Sequence, residues 1–139
     1  MDFSKLRNEV IAYIDAHGEE QLEFLIRLCD QNSYSFNPDG VNKVGAMIVE
    51  NMNGIMPVHE VVTFEKVGGT HIFRSSEHEK SIYLVGHMDT VFPPEHEFQA
   101  CAMKGDILTG PGVGDMKGGL VVIIYALKAL HQVGVVREL

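Results

Sequence analysis

The sequence predicts an α/β fold, with helices packed on a mixed sheet. Three observations carry that expectation. Apolar residues recur at helical spacing in four separate segments. Ile82-Tyr-Leu-Val85 is a short apolar run without polar alternation, ended by Gly86. Such a run reads as a strand buried on both faces of a sheet. Finally, a glycine-rich turn, Gly110-Pro-Gly-Val-Gly114, delivers Asp115 to the mouth of a long apolar segment.

Taken in order, the chain opens with a helix over Ser4–Ala16, with Leu6, Val10, Tyr13 and Ile14 on one face and Ser4 as N-cap. Gly18 interrupts it. Glu19–Asp30 follows as a second helix, with acids in its first turn, where they oppose the positive end of the helix dipole. Leu22, Leu25, Ile26, Leu28 and Cys29 supply its apolar surface. Gln31–Phe36 is a polar loop. Asn37-Pro38-Asp39 is a helix start, a capping amide followed by proline at the first helical position. Val41, Val44, Met47, Ile48 and Met52 continue that helix to Gly54.

Pro57–Lys66 reads as a strand. Gly68-Gly69 turns the chain, and Thr70–Arg74 returns as a hairpin partner. Ser75–Lys80 is a charged turn before Ile82–Val85, the expected central strand. After it, Pro93-Pro94 prevents regular continuation. Glu95-His96-Glu97 reads as a solvated loop rather than a metal cluster. Asp106–Thr109 is a short strand leading into the glycine turn. Leu120–Leu130 contains several β-formers, yet Leu120, Ile123, Ile124, Leu127 and Leu130 fit a helix. Gly134 offers its stop, and the helix is expected to bury itself against the sheet.

The chain has 139 residues, 45% of them hydrophobic, which suits one domain with a sizeable core. A net charge of −8 argues against nucleic acid, because phosphate binding needs clustered Lys and Arg. The run Leu120–Leu127 is too short to span a membrane. The start lacks the basic-then-apolar order of a signal peptide. Cys29 and Cys101 form no Cys-x-x-Cys and read as free thiols of a reducing compartment. The expectation is a cytoplasmic protein.

The chemistry concentrates after Val85. His87 and Asp89 stand two residues apart, so on extended backbone their side chains leave the same face. The carboxyl end of a central strand is the usual ligand crevice of an open α/β sheet. A neutral imidazole is a good zinc ligand, and a neighbouring carboxylate fixes its tautomer and raises its basicity. The glycines around Asp115 let the loop turn sharply and present one carboxylate, whose two oxygens can bridge two metal ions.

Gly86-His-Met-Asp-Thr-Val91 and Asp115-Met-Lys-Gly-Gly119 together resemble the zinc aminoacylase/carboxypeptidase family, which includes glutamate carboxypeptidases, acetylornithine deacetylase and succinyl-diaminopimelate desuccinylase. The first motif looks most like the glutamate carboxypeptidase branch. The resemblance implies the amino-terminal half of a dinuclear zinc exopeptidase catalytic domain across residues 1–139, without the lid or dimerisation domain. It implies His87 and Asp115 as zinc ligands, with Asp115 bridging two ions. Asp89 is the candidate catalytic residue, acting by orienting His87. It also implies a cis peptide at Asp115–Met116, and a segment like Gln31–Phe36 bordering the substrate crevice. The implied substrate is a small peptide or N-acyl amino acid, cleaved at an amide next to a free carboxylate.

The general base and remaining ligands of that family are expected beyond Leu139, so the 139 residues are expected to be inactive alone. A homodimer is compatible with this reading. Two alternatives stand beside it. One is a non-catalytic metal-binding or interaction fragment of the same fold. The other is a nucleotide loop at Gly112-Val-Gly-Asp-Met-Lys-Gly118, which Asp115 opposes by placing negative charge beside the phosphates.

Overall fold

The computed structural model describes residues 2–75 and 82–136. Four helices carry the core: α1 (Phe3–Ala16), α2 (Gly18–Asp30), α3 (Pro38–Met52) and α4 (Lys117–Gln132). Two antiparallel pairs complete it, β1 (Val58–Val62) with β2 (Thr70–Arg74), and β3 (Ala102–Lys104) with β4 (Ile107–Thr109). The α/β class holds.

Helix starts follow local chemistry. The cap of α1 is Asp2 rather than Ser4, because its carboxylate accepts the amides of Ser4 and Lys5 at 3.0 and 3.3 Å. Asn37 caps α3, its Oδ1 accepting the Gly40 amide at 3.2 Å, with Pro38 in the first turn. Helix α4 runs on to Gln132, and Gly134 beyond it adopts φ 79°.

Phe24 and Leu28 of α2, Val44, Ile48 and Met52 of α3, and Val121, Ile124 and Tyr125 of α4 form one buried cluster. Burying a side chain such as Leu28 stabilises the fold by about 1.5–3 kcal/mol relative to exposure. Polar ties reinforce the three-helix junction. The Tyr125 hydroxyl donates to Glu20 Oε1 at 2.6 Å, and the Lys128 ammonium donates to Asn51 Oδ1 at 2.9 Å. Helix α1 rests on α4 and buries none of its residues.

Two expectations are corrected here. Helix α4 packs against helices, not against a sheet, and its buried positions are Lys117, Val121, Ile124, Tyr125 and Ala129. Secondly, Ile82–Val85 belongs to no strand and has no ladder partner among the described residues. Ile82, Tyr83 and Val85 are 72%, 85% and 81% exposed. An apolar strand is buried only when neighbours pair with both of its edges and layers cover both faces. Here β1 pairs with β2 through a local hairpin, from Val58↔Arg74 to Val62↔Thr70, and leaves Ile82–Val85 alone. Parallel pairing among the described residues is confined to one bridge, Tyr34↔Thr90. The charged turn expected over Ser75–Lys80 lies, beyond Ser75, outside the described residues.

Candidate functional site

Two connections build the site. Residues 86–90 run in from the exposed apolar segment and are held by the loop after α2. Thr90 N–H donates to Ser33 O at 2.8 Å, and Ser35 N–H donates to Thr90 O at 3.0 Å. Ser33 Oγ–H donates to Met88 O at 2.8 Å. The polar loop expected over Gln31–Phe36 is therefore a clamp on the segment that carries His87 and Asp89.

The second connection is the glycine turn. Gly112 adopts φ 83°, a left-handed conformation that glycine accepts without penalty. Its carbonyl accepts the Lys117 amide at 2.7 Å, closing the turn onto the start of α4. A Cβ on Gly118 would lie 2.4 Å from Val113 O, so only glycine permits this closure. The Asp115–Met116 peptide is cis, as the family resemblance implies.

Lys117 secures the turn from beneath. It is wholly buried, and its ammonium donates to Leu28 O at 2.7 Å and Gln31 O at 3.0 Å. These carbonyls sit at the end of α2, where a helix lacks internal donors for its last turn. Burial lowers the Lys117 pKa below the usual lysine range. The ammonium faces inward, which removes the lysine that a phosphate loop would need and counts against the nucleotide reading.

At the surface the turn presents Asp115, whose side chain is 90% exposed. His87 Nε2 lies 3.0 Å from Asp115 Oδ1. His87 Nδ1 lies 3.1 Å from both Asp89 O and Asp89 Oδ1. The other carboxylate oxygen of Asp89 accepts the Ser35 hydroxyl at 2.5 Å. The three residues singled out in the sequence thus meet at one point, in the order Asp89, His87, Asp115. Burial by itself would lower the His87 pKa, but its hydrogen bonds and charge contacts with Asp115 and Asp89 outweigh it, and the pKa is raised. The site opens on a cleft of about 310 Å³ bordered by Ser35, Thr90, Phe92, Phe98 and Gly110.

The donor set suits zinc in kind: an imidazole nitrogen and a carboxylate oxygen converge. Nε2 and Oδ1 lie 3.0 Å apart, in direct hydrogen-bond contact. In number the set is short, because no group of three His, Cys, Asp or Glu is placed to hold a metal among the described residues. His96 of the Glu95-His96-Glu97 loop is spent on its own turn, its Nδ1 accepting the Phe98 amide at 3.0 Å.

Ser35 was not singled out by the sequence. Serines in polar loops are common, and its role depends on a contact across 54 positions of the chain. The only available signal was the placement of Gln31–Phe36 beside the crevice. No described helix is long and apolar enough to cross a membrane.

Comparison with known proteins agrees with the motifs. Residues 83–138 match the model of Peptidase family M20/M25/M40. The chain is 40% identical over 62 residues to N-formyl-4-amino-5-aminomethyl-2-methylpyrimidine deformylase of Halalkalibacterium halodurans, covering 40% of this chain and 14% of that protein. It is 42% identical over 57 residues to carboxypeptidase G2 of Pseudomonas sp. (strain RS-16), again covering 40% of this chain and 14% of the relative. The resemblance to the zinc aminoacylase/carboxypeptidase family is borne out. The matched stretches are a small part of each relative's length.

Proposed function

We propose that this chain contributes the His87–Asp115 half of a zinc site to a cytoplasmic amide hydrolase. The substrate is a small peptide or N-acyl amino acid, cut at an amide next to a free carboxylate. One observation carries the reading: His87 is held between Asp89 on Nδ1 and Asp115 on Nε2, inside the segment that matches a peptidase family. The two relatives are named as a deformylase of an N-formyl compound and a carboxypeptidase, names that both denote cleavage of an acyl–nitrogen bond.

The roles follow from the geometry. Asp89, itself steadied by Ser35, accepts from Nδ1–H and so makes Nε2, the nitrogen that faces Asp115, the one that would bind a metal. Asp115 offers a carboxylate from a turn fixed by Gly112 and Lys117. When bound, zinc would supply polarisation of the amide carbonyl and a water of lowered pKa. The cleft beside His87 accommodates the acyl group against Phe92 and Phe98.

A second reading applies to the 139 residues by themselves. Two donors converge among the described residues, whereas zinc sites use about three or four protein ligands, so this stretch alone is a non-catalytic metal-binding fragment. Calorimetric titration with zinc separates the possibilities. Binding lost in His87→Ala supports the site, and affinity should fall as pH drops through the raised His87 pKa, since a proton then competes for Nε2. Binding unchanged in both His87→Ala and Asp115→Ala refutes the proposed ligands. Hydrolysis of N-acyl amino acids by the purified 139-residue chain would overturn the second reading.

A further inference from the structure

We infer that Cys29 and Cys101 form an oxidisable pair, a disulfide site that ties the end of α2 to the base of the glycine turn. The chain has two cysteines, 72 positions apart, and nothing in their spacing joins them. The fold does. Cys101 N–H donates to Asp30 Oδ1 at 2.7 Å, which docks the start of β3 against the residue following Cys29. Each thiol acts on the ionisation of the other, and both are free. The backbone contact at Asp30 thus brings Cys101 alongside Cys29, and a disulfide needs the two sulfurs drawn to about 2.05 Å.

The surroundings give the bond a consequence. Cys101 Sγ packs on Gly110, where an added Cβ would lie 2.6 Å away. Gly110 borders the cleft and opens the turn that presents Asp115. Cys29 lies in sequence between Leu28 and Gln31, the two residues whose carbonyls hold Lys117. A disulfide here would staple the two connections on which the site is built.

The exchange balances with a small-molecule disulfide as oxidant. Cys101, partly exposed, is the thiol that a reagent can reach, while Cys29 is fully buried. The Cys101 thiolate attacks one sulfur of the reagent, forms a mixed disulfide and releases one small thiol. Cys29 then loses its proton, attacks the Cys101 sulfur and releases the second small thiol. Two protein thiols are oxidised and one small disulfide is reduced. Burial raises the Cys101 pKa and pushes Cys29 up to about 12, with Asp30 reinforcing and Lys117 opposing both shifts. Thiolate is scarce at neutral pH, so the pair is a slow staple and its oxidation accelerates as pH rises.

The test incubates the folded chain with oxidised glutathione in mildly alkaline buffer, followed by intact mass and thiol counting in denaturant. The expected product has lost two hydrogen atoms, carries no glutathione and has no titratable thiol. Its unfolding midpoint rises by several degrees and returns on reduction. Cys29→Ala is expected to stop at the glutathione mixed disulfide on Cys101. Should that variant fail to fold, Cys101→Ser serves in its place and is expected to leave Cys29 unreacted until the chain is unfolded. A wild-type product that retains glutathione on Cys101, a disulfide-linked dimer, or two thiols still free after prolonged incubation would each overturn the proposal. Closure that occurs only in denaturant would do so as well.

Discussion

Replacing Lys117 by Met asks whether the buried ammonium holds the glycine turn to α2. Methionine keeps much of the length and apolar character of the stem but removes every donor. Leu28 O and Gln31 O then lose their partners at 2.7 and 3.0 Å. An unsatisfied buried polar group costs about 1–3 kcal/mol. The Leu28 bond is fully buried, whereas the Gln31 bond is only partly so, and water can reach the latter. Relief of the ammonium's own desolvation offsets part of the loss. The net expectation is a destabilisation of about 2–4 kcal/mol. With a urea slope of about 2 kcal/mol/M, the midpoint should fall by roughly 1–2 M at unchanged slope.

The pH dependence provides an independent check on the same residue. Burial lowers the Lys117 pKa, so between the folded and unfolded values the unfolded chain binds the extra proton. Wild-type stability therefore rises with pH as the solution approaches the ordinary lysine pKa from below. The variant lacks this gain. The difference between the two proteins should widen there, because a neutral amine still has donors for both carbonyls. A variant as stable as wild type, or a difference that narrows in that window, would refute the role assigned to Lys117.

Tyr125→Phe removes the hydroxyl that donates to Glu20 at 2.6 Å and is expected to cost about 1.5–3 kcal/mol, as for other hydrogen bonds to charged groups. The Tyr125 bond lowers the Glu20 pKa, so its stabilisation is full above the ordinary carboxylate pKa and lost as pH falls through the folded value. Thermal melts should show a shallower acid dependence in the variant; an identical one would count against this linkage. Ser35→Ala withdraws one of the two side-chain partners of the Asp89 carboxylate. Zinc affinity should drop by up to about tenfold, the low end for partners behind a metal ligand, and Ser35→Thr should restore it. Equal calorimetric affinity in Ser35→Ala and wild type would exclude the positioning role.

Much of the local structure was legible because it depends on near neighbours. Asn37-Pro38 marks the start of α3, and the apolar spacing from Val41 to Met52 marks its buried face. The β-formers Val121–Ile124 lie in helix α4, as the length and spacing of the segment predict. Ser4 reads as a cap on identity alone, whereas Asp2 has the reach to take two amides. The surface against which α4 packs was not legible, since an apolar face is the same whether a helix or a sheet covers it. Ile82–Val85 shows the same limit: composition marks a strand suited to burial, but burial requires partners that composition cannot supply.

The candidate site divides in the same way. Sequence by itself determined the residue types and their local presentation: His87 and Asp89 two apart on extended chain, and Asp115 on a turn that needs glycine. Those features are set by dihedral preference and spacing over a few residues. Only the tertiary structure decided that Ser35 would steady Asp89, that Lys117 would turn inward to the end of α2, and that Cys101 would dock on Asp30 beside Cys29. Each of these contacts joins segments more than fifty positions apart, and such approaches are fixed by how the helices pack together rather than by any local pattern.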